Sequence, residues 1–395
     1  MIRYAEVHKK VRENLYEATS LLQECIRIPS LPGDEKAMGE KIMEYIKSLG
    51  LEVQNIEAQK DRPNLISEWR GSKPGRRFVF HCGLDVIPPV CGYEKDPWSG
   101  EIRDGEIYGR GSSDMKVGLC AVLMAVKLLR EMGFEPCGSV LMSFVSDSER
   151  YGTFGVKELL KKNLLTGDFG ICPAASDGKI RIKHCGSVCV GVTYTAEYKW
   201  AYLEHEEKSA IEKAIFAIQE LTKFAEALKE RAGSEFKEVS LLSVTELEGG
   251  VAPNIQAPIT SFTIDRRLIP GETADEVHKQ IIEILEKLKE QDSSMEYTYE
   301  VFGEYPCLDI NENEEVVVAA AKAYKNVFGK EVEINWSAGG SDASDIAVST
   351  GMPIFVFSPG KDNSETYSAD ERANLEQYYS FIEIYMLILI DLLSV

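Results

Sequence analysis

From Val117 to Leu129 the chain is almost wholly apolar, too long for a strand and apolar on every side, which predicts a buried helix. The polar, glycine-rich stretch from Asp104 to Lys116 precedes it, with the acid Asp114 near its end, just before the helix. A carboxylate there sits where the helix dipole favours negative charge and points in a fixed direction; it can serve as an N-cap or as a metal ligand. Apolar positions at helical spacing run from Val7 to Arg27, and Pro29 to Gly33 break that pattern. Lys36 to Leu49 predicts a second amphipathic helix closed by Gly50. Short strands are predicted at Leu51–Ile56, Asn64–Trp69, Arg77–Cys82, Ser139–Val145 and Asp168–Ile171, with a helix at Thr153–Lys162. Alternating strands and helices predict an α/β fold with a mostly parallel sheet covered on both faces. Working residues of such sheets lie at the carboxyl ends of strands, where Asp85, Glu149 and Cys172 fall.

The pattern changes near Gly186. Strands at Ser187–Ala196, Glu238–Thr245, Thr260–Arg267 and Met295–Phe302, with helices at Glu206–Ala232 and Thr273–Gln291, follow the order β-α-β-β-α-β of a ferredoxin-like α+β domain. From Asn311 the α/β pattern returns, with helices at Glu314–Phe328 and Leu375–Leu393 and a strand at Pro353–Phe357. Two domains are therefore expected: 1–186 plus 303–395, and an inserted unit at 187–302. The length of 395 residues agrees, being too great for one ordinary core.

Composition narrows the partners. The net charge of −20 argues against nucleic acid and against anionic membranes. No stretch reaches the length of a membrane span, and the first residues lack the charged-then-apolar pattern of a signal segment. Nine scattered cysteines without a CxxC pair suggest reduced thiols in a cytoplasm.

Several blocks carry a resemblance: Gly83-Leu84-Asp85-Val86-Ile87-Pro88, Gly109-Arg110-Gly111-Ser112-Ser113-Asp114-Met115-Lys116, Asp147-Ser148-Glu149, Gly249 to Asn254, Asp265-Arg266-Arg267, Gly339-Gly340-Ser341-Asp342-Ala343, and Ser358-Pro359-Gly360 with Glu371 after it. In this order they resemble the two-zinc exopeptidase and deacylase family of acetylornithine deacetylase, succinyl-diaminopimelate desuccinylase, aminoacylase and carboxypeptidase G. The resemblance implies a zinc-exopeptidase-like domain with an inserted ferredoxin-like lid that makes homodimers. It also implies two zinc ions sharing a bridging Asp and a water, with a Glu as general base.

Position by position, that centre is depleted. The bridging Asp matches Asp114 and one metal-ligand Glu matches Glu149. The Asp that steers the first His ligand matches Asp85, but that His position is Gly83, which has no side chain. The general base position is Ser148, and serine is no base at neutral pH without a partner. The acid expected before Pro173 is Cys172, the second His position falls at Tyr367, and the lid His at Trp200. Asp147 could be offered as the missing base, but if it continues the strand it faces away from Ser148. His81, two residues before Gly83, joins Asp114, Glu149 and Cys172 as a conceivable shifted metal site; the alternative is that His81 and Cys172 are buried structural residues. On the binding side the resemblance assigns Asn254 and Arg267 to the substrate, the guanidinium matching a carboxylate, and Gly339 and Gly340 allow close backbone approach.

Two retained carboxylates suit a hard cation with water better than a tight zinc pair. The expectation is a degenerate member of the family, without a zinc pair, that keeps a pocket for an amino-acid-like or peptide-like carboxylate. The alternatives are an amide hydrolase with a rebuilt site holding one zinc, manganese or magnesium ion, and a structural subunit.

Overall fold

The computed structural model describes residues 2–204, 207–232, 239, 241–361 and 367–394. The predicted starts at Glu206 and Glu238 lie outside them. The chain forms two compact units: residues 1–183 with 308–337 and 341–395, and residues 184–307 with 338–340.

The first unit is built on a mixed sheet. Its middle strands Cys137–Val145, Lys73–Gly83, Phe169–Cys172 and Ile354–Val356 run parallel, and antiparallel strands flank them. The apolar run is the helix Lys116–Glu131, buried along nearly its whole length. Leu375–Leu393 forms a second buried helix and packs against it. Apolar residues on all sides let each lie between the sheet and its neighbours. The predicted helix over Val7–Arg27 is two helices, Tyr4–Arg12 and Leu15–Ile26. The break is at Asn14, whose Nδ2 donates to the Lys10 carbonyl, a local bond that competes with the helix. Strands Ile180–His184 and Ile334–Ser337 and the helix Ala343–Thr350 had no clear pattern in the sequence. They are short, and several of their residues are exposed, so hydrophobic periodicity hardly marks them.

The second unit has the strand order Leu242–Gly249, Ile259–Leu268, Gly186–Thr195, Tyr297–Tyr305, all neighbours antiparallel. Helices Ala210–Arg231 and Ala274–Gln291 pack on it, each opened by a capping box, at Ser209 with Glu212 and at Thr273 with Glu276. That arrangement is ferredoxin-like. One helix face differs from expectation. Ile211 and Ile215, which the spacing assigns to the covered face with Ile218 and Leu221, are exposed at 38% and 44%. The covered stripe is Ala214, Ala217 and Leu221, one position round, because small alanines let the helix approach the sheet more closely.

Candidate functional site

In the first unit the glycine-rich loop before the long helix is tied down by Glu371. Its carboxylate accepts from Arg110 Nη1 at 2.6 Å and from the backbone N–H of Gly111 at 3.1 Å, Ser113 at 2.7 Å and Asp114 at 3.1 Å. Burial pushes the Glu371 carboxyl up to about 7, while Arg110 and the three N–H groups hold it down. Asp114 does not cap the helix: Met115 is the N-cap residue, after a cis Asp114–Met115 peptide bond. Asp114 Oδ1 accepts the N–H of Ala175 at 3.2 Å, and Oδ2 accepts the hydroxyl of Tyr367 at 3.2 Å. The same hydroxyl lies 3.4 Å from Glu149 Oε2. The two retained acids thus meet at one phenol. Burial and the Asp114 charge push the Glu149 carboxyl well above the usual carboxylate range. The Tyr367 hydroxyl is likewise pushed far up, first by Glu149 and then by Asp114.

Asp85 has no imidazole to steer. Its two oxygens accept the N–H groups of Ser148 at 2.9 Å and Glu149 at 3.0 Å, which fixes the turn bearing both residues. Burial pushes its carboxyl up to about 7 against those two bonds. Gly83 lies beside that turn. A Cβ added to Gly83 would stand 2.7 Å from Ser148 Cβ and 2.9 Å from its Oγ, so a side chain at 83 would have to shift Ser148. Ser148 Oγ donates to Asp342 Oδ2 at 2.8 Å, and the same oxygen is 3.1 Å from His81 Nε2. His81 Nδ1 is 3.2 Å from Ser143 Oγ. His81 is fully buried, with both ring nitrogens engaged in this chain of four residues.

The shifted set of His81, Asp114, Glu149 and Cys172 is not assembled. Among the described residues no three His, Cys, Asp or Glu side chains gather as a metal-binding group. Cys172 is buried, and burial pushes its thiol up. Asp147 is no spare base: it sits at φ 68°, buried, in an ion pair with Arg62 at 2.9 Å. Asp342 and Glu371 tie the site together, Asp342 through Ser148 and His81 and Glu371 through the glycine-rich loop. Both lie in motif blocks, but their partners are distant in sequence, and nothing local marks the roles.

In the second unit Arg267 is already partnered. Nε and Nη2 donate to Asp265 Oδ2 at 3.1 and 2.8 Å, and Nη1 donates to the Tyr305 hydroxyl at 2.9 Å and the Ala338 carbonyl at 3.3 Å. Gly340, next to Gly339, is held against the Tyr305 ring so closely that a Cβ would collide with it. Asn254 is exposed and its carbonyl accepts the Ala201 N–H at 2.9 Å. Trp200 bridges to Ile255 beside it and stacks on Tyr202 at 6.0 Å. Trp200 and Asn254 are therefore neighbours.

The contact between Gly83 and Ser148 can be tested directly. Gly83→His is expected to destabilise the protein by about 1–3 kcal/mol through overpacking. Ser148→Gly in the same chain recovers most of that loss, and a double-mutant cycle in urea measures the coupling. Additive effects would mean that the two positions do not compete for space.

Comparison with known proteins agrees with this architecture. The chain is 25% identical to N-formyl-4-amino-5-aminomethyl-2-methylpyrimidine deformylase of Bacillus subtilis, over 96% of this chain and 95% of that protein. It is 25% identical to succinyl-diaminopimelate desuccinylase of Cereibacter sphaeroides, over 95% and 98%. Human carnosine dipeptidase 1 superposes with a TM-score of 0.81 at 16% identity, covering 99% of both chains. An M20 metallo-carboxypeptidase of Sulfolobus solfataricus superposes with a TM-score of 0.78 at 20% identity, covering 94% of this chain and 98% of its own. Residues 79–391 match peptidase family M20/M25/M40. With most of its length matched and the same fold, this chain belongs to that family.

Proposed function

We propose that this family member has lost the two-metal hydrolytic centre and binds an amino-acid-like or peptide-like carboxylate without cleaving it. The observation that carries the reading is the donor set: Gly83 offers no side chain, and the Asp114 and Glu149 carboxylates share the Tyr367 hydroxyl. A pair of zinc ions does not fit the donors present. Zinc takes about four nitrogen, oxygen or sulfur ligands per ion, and two carboxylates bonded to a tyrosine hydroxyl fall well short. The general base position is a serine whose proton is held by Asp342. Binding of a carboxylate draws its support from Arg267, although Asp265 already neutralises much of that guanidinium.

A second reading is favoured by one feature. The Asp114 and Glu149 oxygens converge on a single hydroxyl, so one hard cation displacing Tyr367 would find two carboxylates in reach. Homodimerisation through the second unit belongs to the same proposal. Ile211, Ile215 and Phe216 on one helix and Val301 and Phe302 on an edge strand are exposed apolar groups that a partner would cover. A single-chain mass in light scattering removes that part.

The deciding experiment loads the purified protein with zinc, removes loose metal and measures what remains. Less than one tightly held equivalent is expected, with no turnover of N-acyl amino acids or dipeptides in added zinc, cobalt or manganese. Two retained zinc ions would defeat the proposal. Turnover with a single bound ion would establish the second reading. Saturable stabilisation by an N-acyl amino acid, without product, supports the binding role.

A further inference from the structure

At the opposite end of the central sheet from the acidic site, residues 70–77, which link strand Leu65–Arg70 to strand Lys73–Gly83, read Arg-Gly-Ser-Lys-Pro-Gly-Arg-Arg. Four of these eight residues are basic and none is acidic, in a chain whose net charge is −20. This segment borders an open surface depression of about 490 Å³. The strand Lys73–Gly83 runs from this cleft to the acidic site. Arg77 and Gly83 are six residues apart, or roughly 20 Å at about 3.3 Å per residue. The two sites are therefore separate.

The cleft is built rather than accidental. Arg70, Lys73 and Arg77 line it, against Glu68 and Asp168. Glu68 lies between the two guanidiniums: Arg70 Nη2 donates to Oε2 at 2.6 Å and Arg77 Nε to Oε1 at 3.0 Å. Arg77 Nη1 donates to Thr166 Oγ1 at 3.3 Å, and Asp168 Oδ2 accepts the Arg77 backbone N–H at 2.6 Å. The shared carboxylate holds both planar forks in place before any ligand arrives, which lowers the ordering cost of binding. Three glycines pack tightly around the cleft. Gly71 is pressed against the Pro136 carbonyl, Gly138 against the Arg76 carbonyl and Gly167 against the Val79 side chain, so no larger residue fits at any of the three.

We infer that this cleft binds a small multivalent oxyanion of the phosphate class, a diphosphate or triphosphate group. Three cations line an open volume larger than one phosphate needs. Two acids lie among them, but each already accepts hydrogen bonds from Arg77, and the lining keeps one net positive charge. Glu68 takes the Nε–Nη2 edge of each guanidinium, so the remaining Arg70 N–H groups and the Lys73 ammonium are the donors left for the anion.

The test is a calorimetric titration of inorganic pyrophosphate into the full chain at constant ionic strength, beside the variant Arg70→Ala/Lys73→Ala. Saturable binding is expected in the wild type and weaker binding in the variant, by about tenfold or more, or about 1.4 kcal/mol or more. Both side chains are exposed, and far-UV circular dichroism checks that the fold is kept. If the double variant fails to fold, Lys73→Glu alone serves, with the same expected loss. No saturable binding at millimolar pyrophosphate would overturn the inference. Equal binding by wild type and variant would overturn it as well, since it would reflect salt and not this cleft.

Discussion

Arg62→Met is expected to remove about 3–5 kcal/mol of stability, the usual result of breaking a buried ion pair from one side. Arg62 donates to Glu35 Oε1 at 2.5 Å and Asp147 Oδ1 at 2.9 Å, and all three side chains are more than 90% buried. The variant leaves two carboxylates in the interior without their cation. One of them, Asp147, holds the turn that leads into Ser148 and Glu149, accepting the Phe154 N–H with its other oxygen at 3.1 Å. Urea denaturation should show a lower midpoint with an unchanged slope, because the compactness of the two end states is not altered. Adding Glu35→Gln and Asp147→Asn to the same chain should recover part of the loss. A midpoint within experimental error of the wild type would mean that the triad is not paired as described.

Glu371→Ala is expected to have a comparable effect, about 3–5 kcal/mol, for a related reason. Arg110 and Glu371 are each 1% exposed in their side chains, and removing the acid strands a buried guanidinium. It also strands the N–H groups of Gly111, Ser113 and Asp114, each of which then lacks its acceptor. Because Asp114 is one of those three, the substitution also loosens the acid pair at Tyr367. Glu371→Gln keeps an acceptor for the backbone and should lose less. The comparison of Ala and Gln variants by urea midpoint separates the charge from the hydrogen bonds. Equal losses would show that only the ion pair matters.

The sequence and the structure agree most closely where a pattern is local. The apolar run before Leu129, the alternation of strands and helices and the β-α-β-β-α-β insertion are each set by residues within a few positions of one another. They appear in the structure with ends shifted by a few residues. Patterns failed where two solutions differ by one helical position, as on the helix Ala210–Arg231, where alanines and not isoleucines face the sheet. They were also blind to contacts between distant residues. His81 and Asp342 are 261 residues apart, as are Arg110 and Glu371, and no spacing rule links either pair.

The lack of particular donors follows from the sequence alone, since glycine at 83 and serine at 148 have no imidazole or carboxylate whatever the fold does with them. Whether other groups take their place is a question of distance, and only tertiary structure decides it. There His81 turns to Asp342, Cys172 is buried away, and Tyr367 meets both Asp114 and Glu149. Covalent structure limits which atoms can bind, while packing of strands far apart in the chain selects which atoms actually meet.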